Sequence, residues 1–347
     1  MPYEKVLFMS YAVPTFYPTP PGVVAPAGGA PAIALADPDL QARAQRFVNV
    51  LYWTQQQFAT KQGMTDSSTL KIFMAPEFYF RKASDPEVAN QRFDLATYYG
   101  SYPESSRYAL AEAIYGAIHG NAAFQDWMIS AGTICSALPL APQPTRLDLL
   151  NTAILLRGMR ATADDAAPYV LMEKHYISNI DGPPQAWHAN LNPASVFSFQ
   201  LNPDQSLDNV IRWDGMMEGL EVCLDHKMGV AWDAMLRMWT VIGPSVPRLD
   251  LQMITSCGMD INSQFVAVKD GALVLLTDGM SHQFNGCPTP RTRFGRYVRQ
   301  DALFDVLDIP LPALTPLPGG ANYNVAYPNY TGQQGVYTFD LQLLMQS

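Results

Sequence analysis

Leu70-Lys71-Ile72-Phe73-Met74-Ala75-Pro76-Glu77-Phe78-Tyr79-Phe80-Arg81 is a short apolar run stopped by Pro-Glu and followed by three aromatic residues. Leu70 to Ala75 reads as a strand. It delivers Glu77 at its end among apolar neighbours. A carboxylate so placed suits proton shuttling. It is also costly to bury unless paired, so a salt bridge to a lysine or arginine is the plainer reading.

Two later segments share this form. Glu173-Lys174-His175-Tyr176 follows the strand Tyr169 to Met172 and presents an ammonium. Gly219-Leu220-Glu221-Val222-Cys223-Leu224-Asp225 ends a strand on a thiol. A cysteine at a strand-to-helix transition lies near backbone N–H groups, which stabilise a thiolate and then an oxyanion. The competing readings are an exposed lysine and a buried strand-end cysteine. Together, carboxylate, ammonium and thiol are the parts needed to open a carbonyl or nitrile through a thioester.

The rest of the chain narrows the classes. It has 347 residues, 48% hydrophobic and 15% charged, with a formal net charge of -9. An acidic, charge-poor chain argues against a nucleic-acid partner, whose backbone calls for Lys and Arg stripes. There is no apolar run long enough to cross a bilayer, so no membrane span is expected. Lys5 to Ala12 reads as the first strand and not as a signal peptide, since Glu4 and Lys5 cancel and prolines follow from Pro14. A cytoplasmic location is the expectation. Cys135, Cys223, Cys257 and Cys287 form no close pair, and no metal-ligand spacing appears.

Strands alternate with helices early and crowd together later. Residues 13–36 form a Pro-rich loop. Asp37 caps a helix running to about Thr60, with Pro38 at its first position. A second helix covers Ser105 to Ala122. Residues 82–103 read as a surface loop with a short helix. Further strands are expected at Val6–Met9, Trp127–Cys135, Asn151–Arg157, Phe197–Phe199, Gly219–Cys223, Leu251–Thr255, Phe265–Val268 and Leu273–Leu276. Residues 1–305 are read as one domain. Residues 306–347 are a Pro/Gly/Tyr-rich extension that packs on the domain or on a partner subunit, because Tyr323, Tyr327, Tyr330, Tyr337 and Phe339 are too much apolar surface to leave in water.

The three segments, in this order, resemble the Glu, Lys and Cys motifs of the nitrilase superfamily, the carbon–nitrogen hydrolases. Pro76-Glu77, Lys174-His175 and the Gly-x-x-x-Cys-x-Asp of Gly219 to Asp225 carry the resemblance. Ile129 to Gly132, Asn151-Thr152-Ala153 and Ile254 to Met259 add weaker matches. The resemblance implies an α/β fold, a four-layer α-β-β-α sandwich with the site at the strand ends. Cys223 would attack the electrophilic carbon and Glu77 would relay the proton. Lys174 and the Leu224 backbone N–H would hold the oxyanion, and water would release the acyl group. No metal or organic cofactor is implied. Relatives pair through helices flanking the nucleophile, which Met235, Leu236, Met238 and Trp239 would serve here in a homodimer or larger homo-oligomer.

The sequence also departs from the family. Many members carry a second Glu beyond the Lys that positions it. This chain has none between Lys174 and Glu218, leaving Asp181 as the nearest candidate. His226-Lys227-Met228-Gly229 stands where Pro-Glu is common. The Cys-x-Asp form resembles the amidase and carbamoylase side, so a small-molecule amide or N-carbamoyl compound is the expected substrate. His226 and Lys227 would bind a substrate carboxylate, unless Lys227 is a solvated helix residue. Tyr79 is a candidate pocket wall and His188 a candidate in a segment covering the site. The alternatives are an acyl or amide transferase, a nitrile hydrolase, a non-catalytic small-molecule-binding member, and a hydrolase pairing Cys223 with His226.

Overall fold

Within Lys5–Ala12, Val6 and Phe8 point to one side and Leu7, Met9 and Tyr11 to the other, and all five are fully buried. A strand with both faces apolar must be covered on both. The computed structural model, which describes residues 3–16, 19–83, 100–140, 143–159, 168–176, 209–243, 245–280, 291–300, 303–327 and 332–345, shows what covers it.

The strands are β1 (Lys5–Ala12), β2 (Thr69–Met74), β3 (Tyr102–Pro103), β4 (Trp127–Leu140), β5 (Gln143–Arg157), β6 (Tyr169–Glu173), β7 (Val210–Trp213), β8 (Met216–Val222), β9 (Leu249–Ser256), β10 (Val268–Asp278), β11 (Thr292–Gln300), β12 (Leu303–Asp308), β13 (Thr315–Pro316), β14 (Gly335–Thr338) and β15 (Gln342–Leu343). The helices are α1 (Pro38–Gln57), α2 (Ser106–Ile118), α3 (Leu224–Met228) and α4 (Val230–Ile242). One sheet has the order β13-β14-β1-β2-β4-β5-β6, with β15 also on β1 and β3 also on β4. The other has the order β12-β11-β10-β9-β8-β7.

The two sheets face each other. Phe8, Ile72, Met74, Leu155 and Met172 of the first pack with Leu220, Val222, Met253, Leu275 and Phe294 of the second. On the outside of the first sheet, Phe47, Val48 and Leu51 of α1 and Leu110 and Ile114 of α2 cover Leu7, Phe73, Ile129 and Ile154. On the outside of the second, Ala231 and Met235 of α4 cover Leu249, Ile254, Val274 and Leu276. The fold is therefore the expected four-layer α-β-β-α sandwich. β1, β2 and β4 run parallel, as do β8, β9 and β10. Two antiparallel steps, β4 to β5 to β6, return β6 to the direction of β2. The carboxyl ends of β2 and β6 thus lie at one end of their sheet, the kind of edge where parallel sheets carry their sites.

Asp37 caps α1 as the sequence suggests, its Oδ1 accepting the N–H groups of Asp39 and Leu40. The helix ends at Gln57, because Phe58 turns its N–H back onto Thr54 and Gln56. The second helix stops at Ile118, well before Ala122, where His119 is extended and Gly120 takes a positive φ. Phe265–Val268 is not a strand. Asn262 caps a 3₁₀ turn over Ser263–Phe265, and β10 begins only at Val268. The expected strand at Phe197–Phe199 lies outside the described residues. Among the described residues no helix is long and apolar enough to cross a membrane.

Among its described residues the Pro-rich loop has no helix or strand, so its backbone groups need other partners. They find them on α1. Asn49 accepts from Ala27 N–H (3.0 Å) and donates to the carbonyls of Ala25 (2.9 Å) and Asn322 (3.0 Å). Gln45 accepts from Ile33 N–H and donates to the Pro31 carbonyl. Arg46 donates to the carbonyls of Pro21 and Ala321.

Candidate active site

Glu77 is held at both ends of its peptide. Its N–H donates to the Ser256 carbonyl of β9 (3.3 Å), and its carbonyl accepts from Thr15 Oγ1 (2.5 Å). Thr255 Oγ1 donates to the Ala75 carbonyl (3.0 Å), joining the ends of β2 and β9 across the sandwich. Phe78 then takes φ 64°, and its N–H donates to Thr133 Oγ1 (2.8 Å). Gly132 lies so close that a Cβ there would stand 2.3 Å from the Pro76 carbonyl oxygen. The turn that presents Glu77 thus requires glycine on the neighbouring strand.

The side chain of Glu77 is fully buried. Its Oε1 accepts from Lys174 Nζ and from Asn151 Nδ2, each at 2.8 Å. Asn151 also fixes the lysine, because its carbonyl accepts the Lys174 N–H (2.8 Å). The lysine ammonium lies 5.8 Å from the Phe78 ring centroid. Glu77 and Lys174 both have zero side-chain exposure. A buried ion pair needs close geometry and further hydrogen bonds to offset desolvation, and Asn151 supplies one.

Cys223 sits where β8 gives way to α3, at φ 51° and ψ −106°. A non-glycine residue there is strained, a feature that clusters at functional sites. Its N–H donates to the Thr255 carbonyl (2.9 Å), and its carbonyl accepts His226 N–H (3.0 Å). Leu224 is the first residue of the helix. Asp225, fully buried, accepts His175 N–H at both carboxylate oxygens (3.0 Å each) and Tyr176 N–H at Oδ1 (2.8 Å). Burial raises its carboxyl above the ordinary value, opposed by His175 and Lys174. The thiol of Cys257 is pushed well above the ordinary range, by burial first and then by Asp278, Glu77 and Cys223. Glu77 and Lys174 are paired directly, and the Cys223 turn is tied to the segments that carry them through Thr255, which bonds Cys223 and Ala75, and through Asp225, which bonds His175 and Tyr176.

Tyr79 and His226 are not in the positions the sequence suggested. Tyr79 turns away from the site, its ring on Tyr11, Phe47 and Phe80 in the outer core of the first sheet. His226 is fully buried behind the nucleophile turn. Asn262 N–H donates to its Nε2 (2.9 Å), which leaves Nδ1 to donate to Glu221 Oε2 (2.6 Å). Gln252 Nε2 donates to the same Glu221 oxygen (2.6 Å), and Ala231 N–H to the other (2.9 Å). With both ring nitrogens engaged, His226 ties the start of α3 to Glu221 and Asn262. Lys227 is exposed. Asp181 and His188 lie outside the described residues.

Sequence reasoning missed the hydroxyl and carboxylate braces. Thr15, Thr133 and Thr255 carry no motif. Asp278 gathers Ser256 Oγ, Gly258 N–H, Met259 N–H and Met280 N–H around the turn after β9. Its only signal is the turn-forming Asp278-Gly279 pair.

No protein-family model and no curated protein matches the chain. Among solved structures it is similar to glutamine-dependent NAD+ synthetase from Acinetobacter baumannii bound to ADP. The identity is 9% and the TM-score 0.36, over 98% of this chain and 48% of that one. It is also similar to a CN-hydrolase superfamily protein from Xanthomonas campestris with an arsenic adduct in its active site. There the identity is 12% and the TM-score 0.38, over 97% of this chain and 91% of that one. The likeness is distant. This chain spans about half the length of the first of these proteins.

Proposed function

We propose that the chain is a carbon–nitrogen hydrolase that cleaves a small-molecule amide or N-carbamoyl bond through a thioester on Cys223. The observation that carries this reading is the Glu77–Lys174 pair, fully buried at 2.8 Å beside the strained Cys223 turn. Lys174 supplies a fixed positive charge, and Glu77 a carboxylate whose bonds hold it in one place.

In this scheme Glu77 takes the Cys223 proton and the sulfur attacks the carbonyl carbon. Lys174 and the Leu224 N–H stabilise the oxyanion that forms. Glu77 hands the proton to the departing nitrogen, and ammonia or an amine leaves with the thioester formed. Glu77 then takes a proton from water, which attacks the thioester. The tetrahedral intermediate collapses, the carboxylic acid leaves, and the thiol is restored. The Cys-Leu-Asp form of the nucleophile segment supports an amide over a nitrile.

Leu236, Val241 and Ile242 are exposed on α4, 48%, 84% and 64% respectively. This apolar surface supports a homodimer, which light scattering would test. Cysteine chemistry of this kind suits the reducing cytoplasm.

The test is intact-protein mass spectrometry of wild type and Cys223→Ala with a panel of small amides, N-carbamoyl amino acids and nitriles, with ammonia followed in parallel. A Cys223-dependent acyl adduct with ammonia release is the expected result. Turnover that survives Cys223→Ala would overturn the mechanism.

A further inference from the structure

The nucleophile and the lysine come from different sheets. Cys223 follows β8 of the second, and Lys174 follows β6 of the first. Packing alone does not fix the register of two sheet edges to a few tenths of an ångström, and oxyanion chemistry requires that precision. Some contact must join the two segments at the site. Among the described residues, Asp225 makes one. It lies two residues past Cys223 and accepts the N–H groups of the two residues that follow Lys174, at 2.8 and 3.0 Å. His175 Nδ1 also stands 3.5 Å from Oδ2.

We infer that Asp225 is a positioning residue that holds Lys174 against Cys223. It clamps the backbone immediately after the lysine onto the first turn of the nucleophile helix. The inference rests on the nucleophile reading of Cys223 and names a residue on which that chemistry depends. Three features support it. Its carboxyl group accepts the N–H groups of two successive residues, that of His175 shared between both oxygens and that of Tyr176 on one. It has no exposure. And its partners are main-chain N–H groups, so the clamp sets the path of the chain and not one side chain's rotamer. Lys174 is then fixed from three directions: by Asp225 through the following backbone, by Asn151 through its own N–H, and by Glu77 at its ammonium.

The test needs no substrate. The rate at which iodoacetamide alkylates Cys223, followed by mass spectrometry across pH, reads the charge that Lys174 places beside the sulfur. Lys174→Met is expected to slow alkylation at pH 7 about tenfold and to move the profile up by about one pH unit. Asp225→Ala is expected to do the same. Asp225→Asn, which keeps one carbonyl oxygen, is expected to do so to a smaller extent. In the Lys174→Met background neither Asp225 change should slow the reaction further, because both act through the lysine. Asp225→Asn is close to an isostere and keeps one acceptor oxygen, so it keeps the test alive if the alanine variant does not fold. Slowing by Lys174→Met but not by the Asp225 variants would overturn the positioning role alone, as would shifts that add. An alkylation rate indifferent to Lys174 would overturn the nucleophile reading itself, and this inference with it.

Discussion

Asn151 bonds Glu77 with its side chain and Lys174 with its main chain, both at 2.8 Å, so one residue of β5 sets the spacing of the candidate base and the candidate oxyanion donor. The Glu77–Lys174 pair is thereby oriented by a third residue, which itself sits in a strand interior.

Breaking that pair from one side strands a buried charge. Glu77→Gln or Lys174→Met is expected to cost about 3–5 kcal/mol of stability. The double variant should cost less than the sum of the singles. Urea unfolding of the four proteins measures this as a double-mutant cycle. Activity should fall about 10²-fold or more in each single variant, and not return in the double.

The Cys223 turn should prefer glycine for stability and cysteine for chemistry. At φ 51° a side chain costs about 1–3 kcal/mol. Cys223→Gly is expected to be more stable than Cys223→Ala by about 1 kcal/mol, with both inactive. Equal unfolding midpoints would show that the turn relaxes without the sulfur.

Asn49 completes the hydrogen bonding of the Pro-rich loop. Asn49→Leu keeps the volume but removes the partners of Ala27 N–H and of the carbonyls of Ala25 and Asn322. These groups are part-buried, so about 1 kcal/mol per lost hydrogen bond is the expected scale. Limited proteolysis should cut between residues 19 and 35 faster than in the wild type, with the site residues unchanged in sequence.

Asp66 gives a pH dependence of known sign. Its carboxyl is lowered from 3.8 to about 2, first by the Ser68 N–H and then by the Ser68 hydroxyl, with Lys5 and Thr69 contributing. A group with a depressed folded value stabilises the protein above its unfolded value and loses that contribution as pH falls. Asp66→Asn should therefore destabilise fully above about pH 4. The difference from wild type should shrink as pH falls toward about 2. Urea midpoints at three pH values decide it, and a difference that grows on acidification would contradict the assignment.

The sequence made legible those features with a strong local signature. Asp37-Pro38 announces a helix start. The apolar runs at 70–75 and 219–223 announce strands that end on reactive side chains. Legibility ended where tertiary geometry decides. Tyr79 and Glu77 are two residues apart, yet the positive φ of Phe78 between them breaks the strand alternation that would otherwise point both one way. His226 looks like a free imidazole next to the nucleophile, because Asn262, which occupies its Nε2, lies 36 residues further along the chain. The strands β13 to β15 were hidden in a Pro/Gly/Tyr-rich stretch, where only pairing makes them strands, β14 and β15 on β1 and β13 on β14.

That pairing has a consequence for how the protein is made. Met9 lies opposite Thr338 in the sheet, and Lys5 opposite Leu343. During synthesis the strand β1 leaves the ribosome long before its outer neighbours β14 and β15. Until then β1 presents an unpaired row of N–H and C=O groups, the template on which strands of other chains add. Contacts this distant in sequence also form slowly. The nascent chain therefore passes through a long interval in which one sheet has an open edge. A chaperone that shields that edge should raise the yield of folded protein more than one that acts after release.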